Sequence, residues 1–103
     1  PNIGIIAYGA SDPAVIEARD ILYQLHEITA DYLRVRALPV HQHVYEFIRN
    51  HERVFLVEQN RDSQLHSIMS SEEPNLMTDV CAILHYDGMS IDAATIIRQI
   101  LES

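Results

Sequence analysis

The stretch Arg53-Val-Phe-Leu-Val-Glu-Gln-Asn-Arg61 decides the fold of this chain. It holds four consecutive apolar residues, Val54 to Val57, followed directly by four polar ones. An apolar run of strand length that ends in a polar segment is typical of a parallel strand buried on both faces, which needs helices above and below it. Ligands and partners of open parallel sheets bind beyond the carboxyl ends of the strands. We therefore expect four side chains at the functional edge: Glu58, Gln59, Asn60 and Arg61.

Three other segments predict strands. Two of them, Ile3–Tyr8 and Val80–Leu84, are apolar runs of strand length that we expect to be buried. Residues 31–36 alternate instead, with Leu33 and Val35 on one face and polar or aromatic residues on the other. This alternation predicts a half-buried strand at an edge of the sheet.

Four segments between and after the strands carry apolar residues at the spacing of a helix. In chain order these residues are Val15, Ala18, Leu22 and Leu25; Val44, Phe47 and Ile48; Leu65, Ile68 and Met69; and Ala94, Ile97 and Leu101. Asp12 before Pro13 predicts the N-cap and the first residue of a first helix of about four turns. Pro74 ends the third helix, and Ser90 or Asp92 caps the last one.

The alternation of strands and helices predicts the topology. Short connections between them imply parallel strands joined by right-handed crossovers. We therefore expect an α/β domain over residues 1–103, a three-layer open sandwich with helices on both faces of the sheet. The half-buried second strand suits an edge and the apolar first and third strands suit the centre, which gives the strand order 2-1-3-4. The switch point then lies between strands 1 and 3, where residues 9–11 face residues 58–61.

Composition and charge exclude several classes of function. The chain has 103 residues, of which 48% are hydrophobic, and this suits one domain with an ordinary core. Seven basic residues against fifteen acidic ones give a formal charge of −8, without a cluster of Lys and Arg. This argues against a nucleic-acid surface and against an anionic membrane. No apolar run reaches the roughly 20 residues of a membrane span.

Cys81 is the single cysteine of the chain. One cysteine builds neither a disulfide framework nor a cysteine-ligated metal or iron–sulfur cluster. A lone cysteine in an apolar run suits the reducing cytoplasm, which is the location we expect. The sequence starts without a methionine, two residues before a predicted strand, so we expect it to be a piece of a longer polypeptide.

Three local patterns have a chemical interpretation, and for each one a structural interpretation is favoured. Residues 9–12, Gly-Ala-Ser-Asp, could offer N–H groups to an anion, but they lack the spacing of dinucleotide and P-loop motifs. His41-x-His43 suggests a metal, yet residues two apart point to different sides of a helix. His85 beside Asp87 suggests a general base, whereas a hydrogen-bonded structural histidine is favoured.

The polar residues after the third strand allow three interpretations. Glu58 could be a catalytic acid or base, or it could pair with Arg61 or Arg36 while the following turn caps the next helix. The third interpretation, which we favour, is that these residues hydrogen-bond a partner domain. On the edge strand, Arg34 and Arg36 form either a solvated face that discourages edge pairing or a basic contact for a neighbour, and both interpretations stay open.

Four stretches, taken in order, resemble one protein family. They are Gly4-Ile-Ile-Ala-Tyr-Gly9 with Asp12-Pro-Ala-Val15, Leu33-Arg-Val-Arg-Ala-Leu-Pro39, Val57-Glu-Gln-Asn-Arg-Asp62 with Gln64-Leu65, and Leu84-His-Tyr-Asp-Gly88. From about Ile3 to near its end, the chain is similar to the C-terminal domain of the alpha subunit of 2-oxoacid:ferredoxin oxidoreductases. In that family the domain is similar to the C-terminal domain of transketolases and follows a domain that takes part in binding thiamine diphosphate.

The resemblance implies a place in a larger complex. The assembled enzyme uses thiamine diphosphate with magnesium to decarboxylate a 2-oxoacid, passes electrons through iron–sulfur clusters to ferredoxin, and releases an acyl-coenzyme A. The partners implied are the upstream domains of the same alpha subunit and the beta subunit, while this domain holds no cofactor and no catalytic residue. The interface candidates are Gly9, Ser11, Arg34, Arg36, Glu58, Gln59, Asn60, Arg61, His85 and Asp87.

One residue departs from the family pattern. Ser63 stands where the family commonly has glycine, so a positive φ at this position would be strained, although serine also caps helices. The departure concerns the local shape of residues 60–64. An alternative function, from a different class, is a stand-alone flavodoxin-like module that binds a small anion or nucleotide between residues 9–12 and 58–61.

Overall fold

Strands and helices alternate along the chain. The computed structural model describes residues 2–8, 12–36, 40–58, 64–84 and 92–102. The strands are β1 (Ile3–Tyr8), β2 (Ala30–Val35), β3 (Arg53–Glu58) and β4 (Val80–Leu84). The helices are α1 (Asp12–His26), α2 (Gln42–Arg49), α3 (Gln64–Glu72), α4 (Pro74–Met77) and α5 (Ala93–Glu102). Within these ranges the order follows the prediction, except that two helices rather than one lie between β3 and β4.

The strands form one parallel sheet in the order β2-β1-β3-β4, which confirms the predicted topology. β1 and β3 occupy the centre because their side chains are apolar on both faces. At the carboxyl ends, Tyr8 pairs with Val35 of β2 and with Glu58 of β3, and Glu58 pairs with Leu84 of β4. The four strands therefore end level with one another.

Apolar side chains on the two faces of the sheet form two cores. The first lies under α1 and α5, whose buried residues are Val15, Ala18, Leu22, Ala93, Ile96 and Ile100. The second lies under α2, α3 and α4, whose buried residues are Val44, Tyr45, Ile48, Leu65, Met69 and Met77. Successive residues of β3 alternate between the cores, with Phe55 in the first and Leu56 in the second. Helices thus cover both faces, as expected of a three-layer sandwich.

Two helical stripes differ from the prediction. Leu25 is 74% exposed, because Leu22 is the last residue of α1 in the core and the final turn extends past the buried surface. In α5 the buried residues are Ala93, Ile96 and Ile100, one position before the predicted Ala94, Ile97 and Leu101. Both stripes of α5 are apolar, so hydrophobicity alone does not determine which of them faces the sheet.

The helix boundaries follow the predicted signals only in part. The N–H of Thr95 donates to Asp92 Oδ1 at 2.8 Å, so Asp92 caps α5 as expected. Pro74 follows the end of α3, but it also begins the short helix α4. The first position of a helix suits proline, because an N–H group there would have no acceptor within the helix. Asp12, the expected N-cap, is the first residue of α1, and its side chain contacts β2.

β4 is less buried than its apolar sequence predicts. Val80 and Ile83 are buried, whereas Cys81 and Ala82 are exposed. The reason is its place in the sheet, because an outer strand has a neighbouring strand on one side only.

Candidate functional site

The carboxyl edge of the sheet is where the sequence predicts partner contacts. Three of the expected residues, Arg34, Arg36 and Glu58, lie in the described part of the chain. The others lie outside the described residues: Gly9, Ser11, Gln59, Asn60, Arg61, His85 and Asp87. Because the four strands end level with one another, the segments that carry these residues all leave the sheet at the same edge.

Glu58 caps helix α3 from the end of strand β3. Its side chain is fully buried, at 0% exposure. The N–H of Leu65 donates to Glu58 Oε1 at 2.7 Å, and the N–H of His66 donates to Oε2 at 3.3 Å. Both amides belong to the first turn of α3, where N–H groups lack partners within the helix and the helix dipole favours a negative charge. The carboxylate therefore links the strand to the helix that follows it.

This contact differs from the interpretations that the sequence allowed for Glu58. Its described partners are backbone amides rather than Arg36, which is exposed. The Glu58 carboxylate has no exposed surface, and a contact between it and a partner domain stays a prediction. The sequence carried one signal for this arrangement, an acidic residue at the end of an apolar strand shortly before a helix. The expectations for Gln59, Asn60 and Arg61 stay predictions.

Asp12, Tyr32 and Arg34 form a polar group beside the outer strand β2. The Tyr32 hydroxyl donates to Asp12 Oδ1, and Arg34 Nη1 lies 3.7 Å from Asp12 Oδ2. Burial, and then the hydrogen bond to Asp12, raise the pKa of Tyr32 above its ordinary value, so the hydroxyl stays a donor. Arg34 thus has an intramolecular partner, and an exposed ion pair of this kind contributes roughly 0–1 kcal/mol.

A groove of about 770 Å³ lies between α1 and the start of β2. Its lining combines apolar side chains with carboxylates: Pro13, Ile16, Tyr23 and Ile28, with Asp12, Glu17 and Asp20. Ile16 and Tyr23 are 52% and 60% exposed. This surface was not among the predicted sites, although Ile16 and Tyr23, two large apolar residues seven apart on one helix, were a signal for it.

Arg19 is the basic residue of this groove, and its side chain contacts β2. Its Nε donates to the carbonyl oxygen of Ala30 at 2.9 Å, and its Cζ lies 5.8 Å from the centre of the Tyr32 ring. Arg19 therefore ties α1 to the first residue of β2. With three carboxylates against one arginine in its lining, the groove is poorly suited to an anion.

His51 and Asp31 form a second polar pair, at the amino end of the sheet. His51 Nε2 lies 2.8 Å from Asp31 Oδ2, and Nδ1 lies 2.6 Å from the carbonyl oxygen of Phe47. The His51 side chain is 6% exposed, and its ring centre lies 4.4 Å from that of Phe47. The hydrogen bond from His51 lowers the pKa of Asp31, and burial opposes this shift.

The described contacts of the His51 ring all lie within the fold. Both ring nitrogens face acceptors, so the ring donates to both only when each nitrogen carries a hydrogen. Gly4 of β1 lies against the rings of Phe47 and His51, and a Cβ there would meet Phe47 Cε1 at 2.7 Å and His51 Cγ at 3.0 Å. No local motif reveals this group, because Asp31 and His51 are 20 residues apart and only the fold brings them together.

The histidine pair that suggested a metal lies at the start of α2. His41 and His43 are both exposed, and their ring centres are 6.1 Å apart in a stacked arrangement. In the described ranges of the chain, no three side chains of the His, Cys, Asp and Glu types come together in a way that could hold a metal ion.

No protein-family model matches the chain, and no curated protein matches it. In the described ranges, no helix is both long enough and apolar enough to cross a membrane.

Proposed function

We propose that this chain is the non-catalytic C-terminal domain of the alpha subunit of a cytoplasmic 2-oxoacid:ferredoxin oxidoreductase. Its function is to support the assembly of an enzyme that oxidatively decarboxylates a 2-oxoacid to an acyl-CoA and reduces ferredoxin. The upstream domains of the alpha subunit and the beta subunit are its partners. Iron–sulfur clusters are held elsewhere in that complex, because the single Cys81 provides no ligand set for a cluster. By the resemblance, thiamine diphosphate and magnesium also bind outside this domain.

The order of the matching stretches along the chain supports this proposal. Residues 4–9, 33–39, 57–62 and 84–88 each include the end of a strand and the residues that follow it. Since the strand ends are neighbours in the sheet, the four matching stretches leave it at the same edge. In open parallel sheets this edge is where partners and ligands bind.

The contact of Glu58 with α3 is the observation that carries the proposal. The matching stretch of residues 57–65 begins and ends in elements that Glu58 joins by two hydrogen bonds. Its acidic residue, Glu58, thereby accepts hydrogen bonds from the backbone of its own domain. This favours a structural function for the stretch, which supports a domain that contributes to assembly rather than to the reaction itself.

Capture of the native polypeptide tests the proposal. An antibody against this sequence isolates the protein from its source cells, and the intact mass and the 2-oxoacid-dependent reduction of ferredoxin are measured. We expect a mass several-fold above 11.8 kDa, a co-purifying beta subunit, and ferredoxin reduction that requires coenzyme A. A polypeptide near 11.8 kDa without such activity for pyruvate, 2-oxoglutarate or branched-chain 2-oxoacids contradicts the proposal.

A substitution in the captured complex tests the interface residues separately. Arg61→Ala should weaken association of the alpha and beta subunits or slow turnover, because it removes a charged contact while leaving the Glu58–α3 link in place. Arg98→Ala is the matched control, since Arg98 is exposed on α5, away from the carboxyl edge. Equal assembly and equal turnover of the two variants would remove Arg61 from the interface.

No described contact favours the alternative of an anion-binding module. Of the residues expected to hold the anion, the described ones are Asp12 and Glu58, and both are carboxylates. Glu58 already occupies the N–H groups at the start of α3 that a phosphate would need.

A further inference from the structure

The sheet has two outer strands, and they differ in chemistry. β2 and β4 lie at opposite edges of the four-stranded sheet. Within the described residues, β4 pairs with β3 alone. An outer strand presents backbone N–H and C=O groups that can pair with another strand, and proteins usually protect such an edge with charges, proline, a bulge or a covering element.

β2 is protected in this way. Its sequence, ADYLRV, includes Asp31 and Arg34, which are charged. The guanidinium of Arg19 binds the carbonyl oxygen of Ala30, and the carboxylate of Asp12 holds both Tyr32 and Arg34. A strand that approached this edge would have to displace these contacts and desolvate the charges.

Among the described residues, β4 carries none of these protections. Its sequence, VCAIL, has no charged residue and no proline. Ile83 packs in the core under α1 and α5, so Cys81, two residues before it, points to the same face of the sheet. Val80 packs in the opposite core, and Ala82 shares its face. Because Cys81 and Ala82 are both exposed, the middle of β4 is uncovered on both faces of the sheet.

We propose that β4 pairs antiparallel with β4 of a second copy of this chain, so that two four-stranded sheets join into one of eight strands. A second copy suits this edge because its own β4 is an uncharged strand with small exposed side chains. Two chains of formal charge −8 repel each other, and the five residues of β4 themselves bring no charge into the contact. This inference does not depend on the proposed function.

The geometry of the pair follows from the two edges. Pairing of β4 with β4 is the same contact on both copies, so it closes as a dimer with twofold symmetry. Pairing of β4 with β2 of another copy would leave further edges open and would bury Asp31 and Arg34. One edge of five residues is small beside the roughly 1,200–2,000 Å² of a stable interface, so the dimer forms at micromolar or higher concentration rather than at nanomolar.

Sedimentation velocity of the 103-residue chain, from micromolar to millimolar concentration, tests the dimer. We expect the wild-type chain to shift from monomer to dimer as concentration rises. Ala82→Lys should weaken the dimer at least about tenfold, because it places a charge in the middle of the edge. Ala94→Lys is the matched control, since it makes the same change of charge at an exposed position on α5 and should leave the dimer unchanged.

Hydrogen exchange of the wild-type chain gives a test that needs no variant. Amides of residues 80–84 should become more protected as concentration rises, while those of residues 30–35 should not change. A chain that stays monomeric throughout, a dimer that Ala82→Lys does not weaken, or new protection confined to another surface would each overturn the proposal.

Discussion

Glu58 and Asp31 are carboxylates at opposite ends of the same sheet, and their surroundings differ. Glu58 ends the central strand β3, is fully buried and binds two backbone amides of α3. Asp31 lies near the start of the outer strand β2, its side chain is 47% exposed, and it binds the ring of His51. A buried carboxylate held by amides is costly to remove, because its donors are left without partners, whereas water screens the half-exposed carboxylate of Asp31.

This difference bears on how acidic residues at strand ends are interpreted. Glu58 follows an apolar run at the carboxyl edge of a parallel sheet, the position at which catalytic and binding residues are expected. Its contacts nevertheless serve the connection between β3 and α3. Position at the functional edge is therefore not sufficient to identify a residue that contacts a ligand.

The largest effect is expected from Glu58→Ala. The variant leaves the N–H groups of Leu65 and His66 without their acceptor and creates a cavity at the start of α3. We expect the free energy of unfolding, measured by urea denaturation, to fall by about 2–4 kcal/mol. Glu58→Gln keeps the shape and one acceptor oxygen, so its loss should be smaller.

Glu17→Ala provides the matched control for this substitution. Glu17 lies on the exposed face of α1, and its change should alter the free energy of unfolding by less than about 0.5 kcal/mol. If Glu58→Ala were as mild as Glu17→Ala, the contrast between the buried and the exposed carboxylate would be wrong.

A smaller effect is expected from Gly4→Ala, which acts on the partner of Asp31. The added Cβ would lie 2.7 Å from Phe47 Cε1 and 3.0 Å from His51 Cγ, so both rings must move. We expect a loss of about 1–2 kcal/mol in thermal or urea unfolding. Because the added Cβ displaces His51, the double variant Gly4→Ala/Asp31→Asn should lose less free energy of unfolding than the sum of the two single variants. Simple additivity would show that Gly4 and the Asp31–His51 contact are independent.

The smallest effect is expected from Asp31→Asn, and it depends on pH. His51 holds the pKa of Asp31 below its ordinary value, so the unfolded chain binds this proton more readily than the folded chain. The stabilisation is therefore present above the ordinary pKa of an aspartate and is lost as pH falls through the folded-state pKa. Near neutral pH, the free energy of unfolding of the wild type should exceed that of Asp31→Asn by less than about 1 kcal/mol.

Urea unfolding between neutral pH and pH 3 measures this difference. The gap between wild type and Asp31→Asn should narrow below about pH 4. A gap that widens on acidification would reverse the sign assigned to Asp31.

The fold was largely predictable because its main signals are local. Apolar runs on β1 and β3 place these strands in the centre, alternation places β2 at an edge, and the order of elements implies parallel pairing. The rotation of α5 was not predictable, since its sequence has two adjacent apolar stripes. The exposure of Leu25 likewise depends on where the helix ends relative to the core.

The site was less predictable because its contacts join distant or non-repeating residues. The Glu58 contact requires the chain to fold back on the end of β3, and Asp31 meets His51 only after β2 and β3 take their places. The predictions for Gly9, Gln59, Asn60, Arg61 and His85 concern segments outside the described residues. They stay predictions, and the subunit-association experiment addresses the one for Arg61.

Amide hydrogen exchange at Leu65 and His66, followed by NMR, tests most directly whether Glu58 serves the fold. In the wild-type chain both amides should be protected, because the carboxylate accepts them inside the protein. In Glu58→Ala both should lose protection while the amides of β1 keep theirs. Amides that exchange freely in the wild-type chain, or that stay protected in Glu58→Ala, would contradict the structural role of Glu58.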